Sequence, residues 1–246
     1  ARHGLPPLRV HAGVHDSSAN FHRYRAAGMQ QLCVLSTGTW IVALADRMDL
    51  SRLDEARGMT CNADVAGAPV GGALTMGGRE YAAVAGPQPD GATTDPATLC
   101  RLITQGSMAL PSFGTNDGQF PASAGRGRLI GPAPQTAAER HALAVLYTAL
   151  LAVDCGNRLD PARPWVLDGS FLRDPAFAAL VAALRPGRQT RINPEGHGIA
   201  AGAAALCQPD RPAPPPALTD PQPIPGLPDL TPYATRWRAL AKEQMQ

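Results

Sequence analysis

The chain has 246 residues, 44% hydrophobic and 17% charged, with a formal net charge of +2. That length and composition suit one large or two small globular domains with a real core. A charge this close to balance, with no arginine run forming a basic stripe, argues against a nucleic-acid or polyanion partner. No segment approaches the roughly 20 apolar residues that cross a bilayer.

Residues 8–14 read as a strand that ends in a turn carrying His15 and Asp16. Residues 17–26 read as a short helix, capped by the Ser17 or Ser18 hydroxyl and ended by Gly28. The apolar runs 31–35 and 41–45 flank Ser36-Thr37-Gly38-Thr39, which is a hairpin pattern. Residues 60–65 and 69–75 form a second hairpin, turning at Gly67-Ala68. Gly77-Gly78 opens a helix to about residue 85, and 86–94 is a polar loop rich in proline and glycine. Asp95 then fits a helix cap and Pro96 the first helical position of a helix reaching about residue 105. Residues 106–134 read as loop with short strands.

The strongest helix spans 136–155, where Ala142, Val145, Leu146, Ala149 and Leu150 recur at helical spacing. Residues 164–167 are a short buried strand ending at Asp168-Gly169-Ser170. A helix over 171–184, a strand over 189–192 and an alanine-rich helix over 199–207 follow. Nine prolines within 209–228 forbid helix or central strand there and predict an extended surface excursion. Residues 231–245 are a closing helix with Pro232 in its first turn. Paired strands followed by strand–helix alternation predict an α/β domain: a mixed sheet with helices on both faces.

Five cysteines, Cys33, Cys61, Cys100, Cys155 and Cys207, are unevenly spaced with no C-x-x-C pair. Neither a zinc site nor a disulfide framework is expected, and the thiols read as small buried hydrophobes in a reducing cytoplasm. Residues 1–8 lack the apolar run of a signal peptide. The opening without methionine reads as that of a segment of a longer protein.

Three polar turns follow apolar strands, and in α/β sheets ligands collect beyond strand ends. Asp16 is a carboxylate that can take a proton from a substrate hydroxyl or hold a metal; the plainer reading is a helix cap. Ser36-Thr37-Gly38-Thr39 lets backbone approach phosphate and supplies hydroxyl and amide donors; the plainer reading is a hairpin turn. It is not a G-x-x-x-x-G-K-[ST] loop. In Leu167-Asp168-Gly169-Ser170-Phe171 the glycine would let a flat ring lie against the backbone, with Asp174 near ribose or adenine; the plainer reading is again a cap.

Taken in order, these runs resemble a known family. "GVHDSSAN" (13–20) resembles the segment of FGGY carbohydrate kinases that supplies the catalytic aspartate. "LSTGTW" (35–40) is similar to the family's second phosphate-binding turn, and "MGGREY" (76–81) to the glycine-opened helix that flanks the nucleotide. "LDGSFLRDPAF" (167–177) resembles the adenosine motif and "GIAAGAAAL" (198–206) the helix after it. The resemblance covers essentially the whole chain apart from the proline-rich segment.

It implies an actin-like, ribonuclease-H-like ATPase domain, the second of two that close on ATP and a sugar. Residues 1–246 would be the C-terminal nucleotide-binding domain. The N-terminal domain, with its own phosphate loop, metal-site residues and most sugar contacts, would lie outside this chain. The implied roles are Asp16 as base, His15 on the sugar, and Gly38 and Thr39 on the β- and γ-phosphates. Gly77 would lie near the ribose or α-phosphate, and Gly169, Ser170 and Asp174 would frame adenine. Mg²⁺ would arrive on ATP, near Asp16, with no protein metal site of its own. Two departures stand out: Ser170 where a second glycine is usual, and Asp174 where asparagine is common. An ionised aspartate accepts hydrogen bonds but donates none.

"HDSSAN" with "STGTW" is closer to kinases of ketoses such as rhamnulose, fuculose or xylulose than to glycerol kinase. Expected partners are the sugar and the N-terminal domain, with no nucleic acid and no membrane; a homo-oligomer is compatible. The competing class is a non-catalytic actin-fold module that binds nucleotide or sugar, against which an intact Asp16 argues. A Ser-His-Asp hydrolase is excluded by the lack of a G-x-S-x-G elbow.

Overall fold

The computed structural model describes residues 10–245. Helix α1 (Asp16–Ala26) is followed by strands β1 (Cys33–Thr37), β2 (Ile41–Asp46), β3 (Met59–Ala63) and β4 (Pro69–Thr75). Next come helices α2 (Gly77–Ala85) and α3 (Pro96–Gln105), short strands β5 (Met108–Leu110) and β6 (Arg128–Ile130), and helix α4 (Ala137–Leu159). Strand β7 (Trp165–Gly169), helix α5 (Pro175–Ala183), strand β8 (Thr190–Ile192) and helices α6 (Gly198–Leu206) and α7 (Thr231–Gln244) complete the chain.

The main sheet has six strands in the order β3-β4-β2-β1-β7-β8. The two hairpins make its antiparallel half, β2 joining β4. β7 then lies parallel to β1, and β8 parallel to β7. A strand exposes alternate residues to opposite faces. Ile41, Ala43 and Ala45 of β2 therefore enter the core under α4, while Leu44 belongs to the cluster under α1. The sheet is mixed and carries helices on both faces, as the element pattern predicts.

α4 begins at a capping box in which the Thr136 hydroxyl accepts from the Glu139 amide, and Glu139 accepts from the Thr136 amide. It is buried on most sides, the mark of a central helix. The expectation that no segment is apolar enough to cross a bilayer is corrected here: by length and composition α4 is, but 83% of its apolar stretch is buried inside the domain. On the opposite face α6 lies directly on α1. A Cβ on Gly202 would sit 1.7 Å from the Ala19 carbonyl oxygen, so only glycine permits that approach.

Three further expectations need correction. Residues 10–15 form no strand: Val10 is 94% exposed, so the alternation there has no partner and no face to bury. Residues 8 and 9 of that expected strand lie outside the described residues. The helix expected over 171–184 is two elements, a 3₁₀ turn (Ser170–Arg173) and α5. Asp174 stays extended before Pro175, because a residue preceding proline is disfavoured in the α region, and its carboxylate accepts from the Ala176 amide as the cap. The proline-rich segment runs extended along the surface and is tied to the sheet at one point, where Ile192 and Thr219 exchange backbone hydrogen bonds of 2.8 and 3.0 Å. Finally, only Cys33 and Cys155 are buried, Cys61 and Cys207 being exposed; all five thiols are free. Burial pushes the Cys155 thiol up to about 12.

Candidate active site

The register of the parallel pair brings two polar turns to one level. Thr37 lies opposite Gly169, so the corner after β1 and the turn after β7 end side by side. The Thr37 hydroxyl donates to the Asp168 carbonyl at 2.8 Å and ties them together. Gly169 has φ +105°, and a Cβ there would lie 2.0 Å from the Thr37 carbonyl oxygen. The start of α2 closes on the same corner, the Gly78 amide donating to the Thr39 carbonyl at 3.0 Å. A Cβ on Gly78 would meet the Gly38 carbonyl at 2.6 Å, and one on Gly77 would meet Ile41 at 2.5 Å. Gly38 differs from all of these, because no atom lies within 4 Å of the Cβ it lacks.

That open corner separates two clefts. The first, of about 590 Å³, is lined by His15, Asp16, Ser17 and Ser18 from the start of α1, by the corner itself and by Ile199 of α6. The second, of about 610 Å³, is lined by Gly78 and Tyr81 of α2, His141 of α4, and Ser170, Phe171, Asp174 and Phe177. Gly38 and Thr39 line both.

Asp16 opens α1, and its side chain is 66% exposed. Its Oδ1 receives the Ser17 amide at 2.6 Å and lies 3.1 Å from His15 Nδ1. Among the described residues no group donates to Oδ2. Behind it, buried Asp168 anchors the scaffold. Its Oδ2 accepts from the Tyr24 hydroxyl of α1 at 2.7 Å and from Asn193 Nδ2 at 2.8 Å. Burial first, then the neighbouring Asp168 charge, pushes the Tyr24 phenol upward, so it stays a donor.

The second cleft has an aromatic wall. Phe171 packs edge-to-face on Phe177 with ring centres 5.2 Å apart, and Tyr81 lies 6.1 Å from Phe171. Such a wall suits a flat heteroaromatic ring. Asp174 is buried at its edge and is already occupied. Oδ1 accepts from the Ala176 amide, while Oδ2 accepts from the Thr94 amide (2.9 Å), the Thr94 hydroxyl (2.6 Å) and His141 Nε2 (2.8 Å). Burial opposes ionisation, but the His141, Thr94 and Ala176 hydrogen bonds outweigh it and hold the carboxyl below its usual range.

Of the sequence-derived site residues, His15, Asp16, Gly38 and Thr39 come together at the first cleft, and Ser170 and Asp174 join Gly38 and Thr39 at the second. Gly77 and Gly169 line neither; they lie behind the walls as close-packing positions. Sequence reasoning missed Tyr81 and His141. The available signal was a histidine on the apolar face of α4 and a tyrosine one turn past Gly77. Among the described residues no group of three or more His, Cys, Asp or Glu side chains is set to hold a metal.

A family model described as carbohydrate kinase FGGY, C-terminal domain, matches residues 29–215. The structure is similar to that of a carbohydrate kinase from Novosphingobium aromaticivorans, with a TM-score of 0.78 and 30% identity, over 93% of this chain and 51% of that one. It shares its fold with a xylulose kinase from Rhodospirillum rubrum (TM-score 0.60, 19% identity, 98% of this chain and 50% of that one). The same holds for Plasmodium falciparum glycerol kinase, whose structure holds ADP (TM-score 0.57, 13% identity, 94% and 50%). The chain thus spans about half the length of these structures. No curated protein matches the chain.

Proposed function

The chain belongs to the FGGY carbohydrate kinase family, matching its C-terminal domain, and from that membership we propose that residues 1–246 form the ATP-binding half of a kinase that phosphorylates a sugar hydroxyl. One observation carries the reading. A single glycine corner, Gly38-Thr39, walls both an acid-bearing cleft and an aromatic one. Phosphoryl transfer needs that arrangement: a nucleoside on one side, a hydroxyl beside a base on the other, and the phosphates passing between.

Adenine lies against Phe171 in the aromatic cleft, beside Ser170. The β- and γ-phosphates cross the open face of Gly38 and Thr39, where nothing occupies the space a side chain would fill. The sugar hydroxyl enters the first cleft and its oxygen attacks the γ-phosphorus in line. The bond from that phosphorus to the β–γ bridging oxygen breaks, ADP leaves, and the hydroxyl proton passes to Asp16 Oδ2. His15, within 3.1 Å of Oδ1, orients the carboxylate and faces the sugar. Asp16 is the carboxylate that would lie beside a Mg²⁺ ion carried on the phosphates, and such an ion would supply positive charge to their oxygens.

Positioning supplies much of the rate in such a reaction, and the other half of the cleft belongs to the N-terminal domain. We assign the sugar to the ketoses on the strength of "HDSSAN" and "STGTW". We assign the enzyme to the cytoplasm, where five free thiols persist. The alternative, a silent nucleotide-binding module, gives no reason for a carboxylate exposed at the cleft with one oxygen left open.

The test is Asp16→Asn in the enzyme complete with its N-terminal domain. Turnover falls by roughly 10²–10⁴, the range for a general base, while the KM for MgATP changes little. Turnover equal to the parent removes Asp16 from the role.

A further inference from the structure

Asp174, His141 and Tyr81 form a chain of hydrogen bonds along one wall of the aromatic cleft. Each link constrains the next. An ionised carboxylate only accepts, so the 2.8 Å contact to Asp174 Oδ2 requires the hydrogen on His141 Nε2. A neutral imidazole then has a bare Nδ1. That nitrogen is 2.7 Å from the Tyr81 oxygen, so beside the neutral ring the phenol donates to it. Burial, then the Asp174 charge, pushes the Tyr81 phenol upward and keeps its proton in place. Tyr81 has therefore spent its only hydrogen, and what it offers the cleft is a lone pair. Asp174 accepts four donors from the protein and has little capacity left for a ligand.

We propose that His141 is a positioning residue of the nucleotide cleft, buried in α4, which fixes the Tyr81 hydroxyl as an acceptor for a hydrogen-bond donor on the nucleoside. The inference rests on the reading of this cleft as the nucleoside site. The donor is an N–H of the base or an O–H of the ribose. His141 itself is only 4% exposed and acts through Tyr81. Asp174 acts one step further back, setting the tautomer from behind, in the way an outer carboxylate orients a histidine elsewhere.

The test begins with the ring. In ¹⁵N-histidine-labelled chain, the imidazole spectrum of His141 shows hydrogen on Nε2 and none on Nδ1; a hydrogen on Nδ1 overturns the proposal. MgATP is then titrated and followed by NMR, which reads binding as weak as millimolar. Tyr81→Phe and His141→Leu each weaken binding by about tenfold, the worth of one good hydrogen bond. The double variant is no weaker than either single, because both remove one interaction. His141→Gln keeps affinity within about twofold, since its amide donates to Asp174 and accepts from Tyr81.

Purine riboside, 2′-deoxyadenosine and 3′-deoxyadenosine triphosphates identify the donor. The analogue that lacks it binds the parent and Tyr81→Phe equally. A merely structural role for His141 would not move that selectivity. Tyr81→Phe binding MgATP like the parent, or additive losses in the double variant, sinks the proposal alone. A parent chain with no response to any nucleotide sinks the reading of the cleft as well. If His141→Leu does not fold, the Tyr81→Phe and His141→Gln arms still decide.

Discussion

A single methyl group separates binding from folding at the glycine corner. At Gly38 the added Cβ meets nothing within 4 Å, and the backbone is outside the left-handed region. Gly38→Ala therefore folds at least about as stably as the parent, with a gain of up to about 1 kcal/mol from the stiffer unfolded chain. The same methyl stands in the space shared by both clefts. It displaces phosphate oxygens from the corner, and hydrogen bonds to a charged group are worth about 1.5–3 kcal/mol each. Losing one raises the KM for MgATP at least about tenfold. Gly169→Ala is the contrast. Its Cβ would lie 2.0 Å from the Thr37 carbonyl oxygen at φ +105°, backbone against backbone with no side chain free to yield. Left-handed strain of about 1–2 kcal/mol and overpacking of about 1–3 kcal/mol sum to about 2–5 kcal/mol. Urea unfolding of both variants reads the stability difference, and initial rates of the complete enzyme against MgATP concentration read the KM. Gly38→Ala with the parent's KM refutes the phosphate corner. Gly38→Ala unfolding as early as Gly169→Ala refutes the steric reasoning itself.

Asp174 carries a share of the stability that acid removes. Its folded carboxyl titrates below the unfolded value of 3.8, so its contribution is full above that value and is lost as pH falls through the folded one. The unfolding midpoints of parent and Asp174→Asn accordingly differ at pH 7 and converge below about pH 4; a gap that does not change with pH contradicts the assignment. The other acid-sensitive carboxylates are common to both proteins and cancel in the difference. The isolated chain should phosphorylate no sugar and bind adenine nucleotide weakly, because half the cleft is elsewhere; ketose-dependent ATP consumption by the purified chain would contradict that.

Local signals carried much of the fold. Both hairpins were legible because alternating apolar strands flank short turns, at Gly38 and at Gly67. The helix at Pro96 was legible from its Asp-Pro pair. The identical pair at Asp174-Pro175 was hidden, because apolar residues from Phe171 to Leu184 imitate one continuous helix and periodicity alone does not register a one-residue break. Residues 10–14 mislead for the complementary reason. Alternation there suggests a strand, but whether a strand forms depends on a neighbour, and the sheet order that supplies neighbours is non-local. Nothing in the sequence states that β7 inserts beside β1, where Cys33 lies opposite Trp165 and Thr37 opposite Gly169.

The site was legible as motifs and illegible as chemistry. Gly38, Gly77 and Gly169 look alike in a motif, yet two serve close packing and one leaves open space, a distinction only distances make. Asp174 is the sharper case. Read as a sequence departure, an aspartate in place of asparagine is a lost donor facing adenine. Its surroundings reverse that argument. Thr94 presents an amide and a hydroxyl, and His141 an imidazole N–H, all converging on Oδ2. An asparagine offering its NH₂ there would meet donors with a donor, and turned about it would leave its NH₂ facing the Ala176 amide that Oδ1 now caps. The acceptor-only side chain is thus the complement of the histidine and threonine around it, and the group left to face the cleft is the Tyr81 oxygen.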